Sequence, residues 1–280
     1  MMIDAHVHLL PRDVRMDPSA MRERDPWFAE CFPGEGAMAD TVELGRMLDD
    51  QLCDACVIAG WPFRSIDDCH AMTEAAAEAH RTDARMAFLA MIHPVDPHLD
   101  DALDHAQHLG CCGVGELNMD GFGIDNDRFL YQLAEACADR DLPILVHCSE
   151  PVGHQYPGKG TFTPLRVEEL LRAVPECTVV LAHLGGGLPF YGVMPEVQRI
   201  LAHAYVDTAA GPWLYTPNVL PIVAGTMGWD RIIFGSDFPL MTQRRIRDWL
   251  SSSEVTVPDG FWGRTASRVY HIPSSQENVG

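Results

Sequence analysis

Eight short apolar runs, separated by longer segments with helical spacing, are the feature that most restricts the fold of this 280-residue chain. The runs are 2–7, 55–59, 87–92, 112–117, 144–148, 179–184, 204–207 and 232–236. Most of them are rich in Val, Ile or Leu and show little polar alternation. This composition is typical of strands that are buried on both faces of a parallel sheet.

The segments between these runs carry apolar residues at helical spacing. They are 41–51, 68–81, 99–109, 127–140, 164–174, 194–201, 217–227 and 244–252. Eight strand–helix repeats predict right-handed βαβ units, and eight units in this length favour an α/β fold of the closed (β/α)8 barrel type over a doubly wound open sheet. We expect one domain over 1–273, with a long loop at about 11–39 as a candidate lid, and a flexible tail at 274–280.

Charge and cysteine content restrict the partners and the compartment. The formal net charge of −20 and the pI near 4.8 disfavour binding to phosphate backbones, so we expect no nucleic-acid partner. No stretch has the length and apolarity of a membrane span. Nine cysteines without the spacing of a disulfide scaffold, and a start that lacks a basic and apolar leader, predict a cytoplasmic protein.

Polar side chains stand at the carboxyl ends of most of the apolar runs. In a (β/α)8 barrel these ends open on one face, where catalysis takes place. The residues are His6 and His8 on the first run, Glu116 on the fourth, His147 on the fifth, His183 on the sixth and Asp237 after the eighth. Any one of them could be a satisfied core histidine or a salt-bridged glutamate. Their recurrence at equivalent ends predicts a shared metal site, and imidazoles with carboxylates suit zinc or another divalent transition metal.

Residues in three other loops are candidates for substrate binding. The loop 149–161 is long and rich in Gly and Pro, and it contains Lys159, the only lysine of the chain. Lys159 and His154 are candidates for recognising a substrate carboxylate, although an ordinary surface loop is equally open. Arg64 is a candidate anion clamp. Trp61 and Trp213 are expected either to line the substrate pocket or to close the end of the barrel against solvent.

Taken together, these motifs resemble the amidohydrolase superfamily, and more closely its amidohydrolase-related branch, which includes the aminocarboxymuconate-semialdehyde decarboxylase group. The matching pieces are DAHVH at 4–8, GEL at 115–117, LVH at 145–147, LAHLGG at 181–186, FGSDFP at 234–239 and FWGRTA at 261–266. The resemblance covers residue 2 to about residue 272. The motifs are modest one by one, but their order and spacing together are specific.

The resemblance implies a distorted (β/α)8 barrel in which His6, His8 and Asp237 bind metal. His147 would be a further ligand, and His183 would polarise the substrate or shuttle protons. Some relatives hold two metals through a carbamylated lysine on the fourth strand, which this chain lacks. Glu116 could bridge instead, as in relatives with a glutamate at that place, so one or two ions remain open, with Zn²⁺ expected.

The main functional prediction is a metal-dependent hydrolase. A metal-activated water would attack an amide, lactone or ester-like bond of a small substrate that carries a carboxylate, with Asp237 taking the proton and His183 stabilising the oxyanion. The alternative is non-oxidative decarboxylation of an unsaturated or aromatic acid. Glu116 favours hydrolysis slightly, since it permits a second metal. A catalytically inactive barrel is a third possibility, and a homo-oligomer is possible because family members often form one.

Overall fold

The computed structural model describes residues 1–34, 36, 38–50 and 53–273, so the predicted flexible tail at 274–280 lies outside the described residues. Eight strands run through the described part of the chain. They are β1 (Ile3–His8), β2 (Ala55–Ala59), β3 (Met86–Phe88), β4 (Val114–Leu117), β5 (Ile144–Val146), β6 (Val179–Leu181), β7 (Ala204–Asp207) and β8 (Ile232–Ile233). Each lies within or next to one of the eight apolar runs, as expected for fully buried strands.

The strands form two parallel sheets that hydrogen bonds join into a ring. The sheet orders are β1-β2-β3 and β4-β5-β6-β7-β8. A parallel bridge between Ala90 and Val114 connects β3 to β4, and another between Val7 and Phe238 connects β1 to the residues after β8. The (β/α)8 barrel is therefore confirmed, and the open doubly wound sheet is not the fold. Register shifts interrupt the β1–β2 and β4–β5 pairings.

Helices alternate with the strands or lie in the segments that connect them. They are α1 (Arg12–Met16), α2 (Pro18–Arg24), α3 (Pro26–Cys31), α4 (Thr41–Asp49), α5 (Ile66–Thr82), α6 (Leu99–His108), α7 (Met119–Phe122), α8 (Arg128–Ala138), α9 (Pro164–Ala173), α10 (Ala182–Gly185), α11 (Pro195–Leu201), α12 (Gly211–Leu214), α13 (Val219–Met227), α14 (Gln243–Ser251) and α15 (Arg264–Val269). Among the described helices, none combines the length and the apolar character that crossing a bilayer would require.

The segment 11–39, which the sequence predicted as a long loop, contains three short helices. Asp17 begins α2 by accepting a hydrogen bond from the backbone N–H of Ala20 at 3.1 Å, and Asp25 begins α3 by accepting one from Phe28 at 2.9 Å. Each aspartate is followed by a proline, which suits the first helical position because its missing N–H would be unpaired there. These helices are too short to show the apolar periodicity used to find the others.

The core has two layers, one inside the ring and one between the strands and the helices. The inner layer consists of Ile3, Ala5, Ala55, Val57, Ala59, Leu89, Leu145, Val180, Ala182 and Ile233, with Ala266, Val269 and Tyr270 from the end of the chain. On β1, Ile3 and Ala5 belong to the inner layer and Val7 to the outer one. A register shift between Asp4 and Val7 accompanies this change of face. Such irregularities re-aim side chains next to functional sites.

Candidate metal centre

Six ionisable side chains meet where the strands end. They are His6 and His8 on β1, Glu116 on β4, His147 after β5, His183 in α10 and Asp237 after β8. All are buried except His147, which is partly exposed. The structure thus brings together every residue that the sequence offered as a metal ligand or catalytic group. Since β5, β6 and β8 end before His147, His183 and Asp237, these three side chains project from the segments that follow the strands.

The six side chains form two groups of three. In the first, His8 Nε2 lies 3.1 Å from His6 Nε2 and 3.2 Å from Asp237 Oδ1. In the second, Glu116 Oε1 lies 2.9 Å from His147 Nδ1 and 3.2 Å from His183 Nε2. Within each group the potential ligand atoms lie within 4.8 Å of one another.

The carboxylate of Glu116 connects the two groups. Its Oε1 faces the second group, while its Oε2 lies 3.4 Å from His6 Nε2 and 3.6 Å from His8 Nε2. Imidazole nitrogens and carboxylate oxygens at these separations form a donor set that suits a divalent transition metal. The residues therefore fit a divalent cation, in either of the two groups or in both.

Three of the histidines are held in orientation by bonds on the far side of their rings. His8 Nδ1 donates to the carbonyl of Ala59 at 3.0 Å, and His183 Nδ1 donates to the carbonyl of Ala209 at 3.1 Å. His6 Nδ1 donates to Asp207 Oδ2 at 2.7 Å. In each case Nε2 is left to face the cluster, which is the arrangement that metal-binding histidines usually show.

Asp207, at the end of β7, is a site residue that the sequence analysis did not identify. Besides binding His6, it accepts hydrogen bonds at Oδ1 from the backbone N–H groups of His183 and Ala209, at 2.8 and 3.1 Å. Asp4 is also buried and accepts hydrogen bonds from Ser236, which precedes Asp237. Both aspartates lie on apolar strands, and that position was the signal that could have revealed them.

Two of the site residues have an unusual backbone conformation. His183 has a φ of 57° and Asp237 a φ of 74°, in the left-handed region that only a few per cent of non-glycine residues adopt. Such conformations cost free energy, and they cluster at functional sites. Gly235, just before this turn, needs its lack of a side chain, because a Cβ there would lie 2.8 Å from the Cβ of His6.

The electrostatics of the cluster favour positive charge. Burial raises the pKa of Glu116, but the charges of His6 and His147 outweigh burial and hold the pKa well below its usual range. Burial lowers the pKa of His183, yet its hydrogen bond to Glu116 and the charge of that carboxylate raise the pKa to about 9. The negative charge of the buried carboxylates thus favours protonated imidazoles beside them. A bound cation would compensate the same negative charge.

A cavity of about 400 Å³ opens above the cluster. Its floor is formed by His8, Glu116, His147, His183 and Asp237. Among the predicted substrate-binding residues, Trp61, His154 and Trp213 line it. The sequence analysis missed several other lining residues, which are Trp27 and Cys31 of α3, Asn118, Tyr156, Leu214 and Leu240.

Two predicted substrate-binding residues do not line the cavity. The ammonium of Lys159 donates to the carbonyls of Val152 and His154, at 2.6 and 3.1 Å, so it is bound within its own loop. Arg64 is exposed, and its guanidinium packs against Gly123 away from the cavity lining. Neither position could be read from the sequence, because both depend on the path of a loop backbone.

Comparison with protein families gives one match over most of the chain. Residues 3–258 match the family model described as Amidohydrolase, which confirms the predicted resemblance. No curated protein matches the chain.

Solved structures match along nearly the whole chain. A 5-carboxyvanillate decarboxylase from Sphingomonas paucimobilis has a TM-score of 0.76 at 14% identity, covering 97% of this chain and 99% of that chain. A second 5-carboxyvanillate decarboxylase, from Novosphingobium aromaticivorans with bound manganese and a nitrobenzoic acid, has a TM-score of 0.73 at 15% identity and covers 97% of each chain. A 2,6-dihydroxybenzoate decarboxylase in complex with 2,6-dihydroxybenzoate has a TM-score of 0.72 at 16% identity, covering 97% and 99%. At these identities the likeness establishes the fold.

These comparisons overturn the expectation that hydrolysis is the main activity. The three similar structures named above are decarboxylases, so these findings back the decarboxylase alternative. The argument for hydrolysis rested on Glu116 as an extra carboxylate. In the structure Glu116 contacts imidazoles of both groups, and a carboxylate in that position can serve cation binding in either reaction. It therefore gives hydrolysis no advantage.

Proposed function

The chain belongs to the amidohydrolase family, and from that premise we propose that it is a metal-dependent enzyme that removes CO2 from an aromatic carboxylic acid without oxidation. The observation that carries the proposal is the position of the imidazole and carboxylate cluster at the floor of a cavity that tryptophans line. An aromatic ring fits between such walls, and its carboxylate can reach the floor. The named activities of the similar structures support the same reaction class.

The metal would be held by His6, His8, Glu116, His147 and Asp237. A bound divalent cation would neutralise the carboxylate of the substrate and any oxygen beside it. Zn²⁺ and Mn²⁺ both suit this donor set, and Mn²⁺ is the ion present in one of the similar structures. Asp207, Ala59 and Ala209 keep the rings of His6, His8 and His183 in place through the bonds on their far sides.

The reaction needs a proton at the carbon that loses CO2. The C–C bond to the carboxylate breaks, its electron pair stays with the ring, and a proton takes the place of CO2. Among the ionisable side chains that line the cavity, we consider Asp237 and His183 as carriers of that proton. We assign its delivery to His183, because Nδ1 is bound to a carbonyl and Nε2 is the cavity-side atom. Asp237 is the second proton carrier as well as a ligand.

The test uses Mn²⁺-loaded protein with 2,6-dihydroxybenzoate and related hydroxybenzoates. We expect one CO2 for each acid consumed. In D2O, deuterium should appear at the carbon that carried the carboxylate, and in H2¹⁸O no solvent oxygen should enter the aromatic product. The His183→Asn variant should lower kcat by about 100-fold or more while metal content per chain stays within about twofold.

Two results would contradict the proposal. Incorporation of solvent oxygen into the product with retention of the carboxylate would exclude decarboxylation. Loss of metal from His183→Asn, with unchanged turnover per bound metal, would remove the assignment of proton delivery to that residue.

A further inference from the structure

The walls of the cavity are poor in cationic side chains, and among the described residues His154 is the one histidine that lines it outside the metal-ligand cluster. None of the described residues that line it is a lysine or an arginine. The walls are instead formed by aromatic and aliphatic side chains, which are Trp27, Trp61, Trp213, Tyr156, Leu214 and Leu240. The only carboxylates in the lining, Glu116 and Asp237, lie at the floor. The negative charge of a ligand inside this cavity would therefore be compensated mainly at the metal-ligand cluster.

The cationic groups of the surrounding loops are bound elsewhere. Lys159 donates to two backbone carbonyls and lies 3.8 Å from Glu150 Oε1. Arg245 is exposed, and its guanidinium lies 6.0 Å from the centre of the Trp213 ring. Arg64 packs on Gly123 outside the lining. Using any of them to bind a ligand inside the cavity would require these contacts to break or a loop to move.

Asn118 adds an uncharged amide donor to the wall. Asn118 follows Glu116 by two residues at the end of β4, and it lines the cavity. Its Oδ1 accepts hydrogen bonds from the backbone N–H groups of Asp120 and Gly121, at 3.0 and 3.2 Å. The side-chain oxygen is thus engaged in the turn, and Nδ2 is the group that can serve a ligand. An amide N–H suits a hydroxyl or carbonyl oxygen on the ring.

From this charge distribution we infer that the cavity selects flat aromatic acids with a single carboxylate and uncharged polar substituents, and that it excludes ring dicarboxylates. The inference rests on the proposed function and names the substrate class of the same site. The first carboxylate is compensated at the cluster. A second would lie against largely apolar walls that offer no lysine or arginine and only the exposed imidazole of His154, in a chain whose net charge is −20, and burying such a group is costly.

Calorimetric titration of the Mn²⁺-loaded protein with three matched ligands tests the inference. The ligands are 2-hydroxybenzoate, the same acid with an added 5-carbamoyl group, and the same acid with an added 5-carboxylate. The amide and the carboxylate are nearly equal in size, so their comparison isolates charge. We expect the amide to bind within about threefold of the parent acid and the dicarboxylate to bind at least about tenfold more weakly. Equal affinities for the amide and the dicarboxylate would overturn the inference.

A variant of the cavity wall tests the effect of charge with the ligands left unchanged. Leu240 lines the cavity and is 36% exposed, so a longer polar side chain can be accommodated there. The Leu240→Arg variant should bind the dicarboxylate about as well as the amide, whereas the matched neutral variant Leu240→Gln should keep the original difference. If Leu240→Arg keeps the original difference as well, charge is not the origin of the selection.

Failure of this inference can be distinguished from failure of the proposed function. Calorimetry measures binding and requires no turnover. If no acid releases CO2 but the tenfold difference is present, the proposed function fails and the selectivity stands. If mono- and dicarboxylates release CO2 with similar kcat/KM and bind equally well, the proposed function stands and the selectivity is wrong.

Discussion

Asp207 connects three parts of the site through one carboxylate. Its Oδ2 accepts the Nδ1–H of His6, and its Oδ1 accepts backbone N–H groups at His183 and Ala209. A neutral amide in its place cannot accept all three bonds, and it removes the charge that favours a basic His6 Nε2. We therefore predict that Asp207→Asn weakens Mn²⁺ binding by roughly 10–100-fold. Equilibrium dialysis with metal analysis measures this directly.

A matched control exists elsewhere in the chain. Asp96 is also a buried aspartate that binds a histidine at 2.7 Å, but its partner is His70, away from the cavity. Asp96→Asn should leave the affinity for Mn²⁺ unchanged. Equal affinities for the wild type and Asp207→Asn would show that His6 needs no carboxylate to keep its orientation.

Single residues could be predicted from the sequence where a motif surrounded them. His6 and His8 are two residues apart on the first strand, and Asp237 follows a glycine and a serine at the end of the eighth apolar run. Because the carboxyl ends of parallel barrel strands open on one face, these positions alone predicted that the three side chains lie close together. Asp207 lacks such a motif, because the short run that it ends, 204–207, carries no histidine and no second carboxylate. Which strand-end aspartate binds His6 is decided by strand order and register, which only the coordinates provide.

At the scale of elements, the loop between β5 and α9 forms one wall of the cavity and is held by its own lysine. Lys159 binds the carbonyls of Val152 and His154. The backbone N–H of Gly158 contacts Glu30 of α3 at 3.3 Å, and its carbonyl accepts a hydrogen bond from His147. The loop therefore depends on α3 and on a site histidine as well as on its own bonds.

Removing the lysine should loosen this wall without touching the reacting groups. We predict that Lys159→Met speeds amide hydrogen exchange across 150–160 by roughly fivefold, as expected for a net loss of about 1 kcal/mol. KM should rise more than kcat falls, since the wall positions the ligand and the proton carriers lie elsewhere. Hydrogen-exchange mass spectrometry with steady-state kinetics checks both effects.

The control variant is Val152→Ala, which changes an exposed side chain of the same loop and keeps the carbonyl that Lys159 binds. It should exchange like the wild type. Unchanged exchange in Lys159→Met, together with weaker binding of carboxylate ligands alone, would instead support direct contact between this lysine and the substrate.

The strands and the longer helices could be predicted because burial imposes periodicity over many residues. The helices α1 to α3 could not, since helices of five to seven residues offer too few turns for a periodic pattern. The Asp-Pro pairs at 17–18 and 25–26 were the local signal that could have revealed two of them. This omission concealed Trp27 and Cys31, which α3 contributes to the cavity.

At the scale of the whole molecule, the barrel buries a concentration of ionisable groups in a chain with a net charge of −20. Four imidazoles and two carboxylates lie within a few ångströms of one another at one end of the ring. Burying such groups opposes folding unless they are paired or bound to a cation. The inner apolar layer and the strand bonds that close the ring must offset this cost, and a divalent ion would relieve part of it.

Metal binding should therefore appear as stability of the entire barrel. A ligand that binds only the folded state at 100 times its Kd stabilises that state by about 2.7 kcal/mol. For a chain of this size, where 1 kcal/mol corresponds to about 2–4 °C, we predict that Mn²⁺ raises Tm by roughly 5–10 °C over protein treated with EDTA. The rise should increase with Mn²⁺ concentration, and it should be smaller in Asp207→Asn than in Asp96→Asn. A Tm that is independent of Mn²⁺ would mean that the charges of the six side chains compensate one another, with protonated His6 and His183 beside Glu116. The burial of the cluster would then have to be explained without a metal.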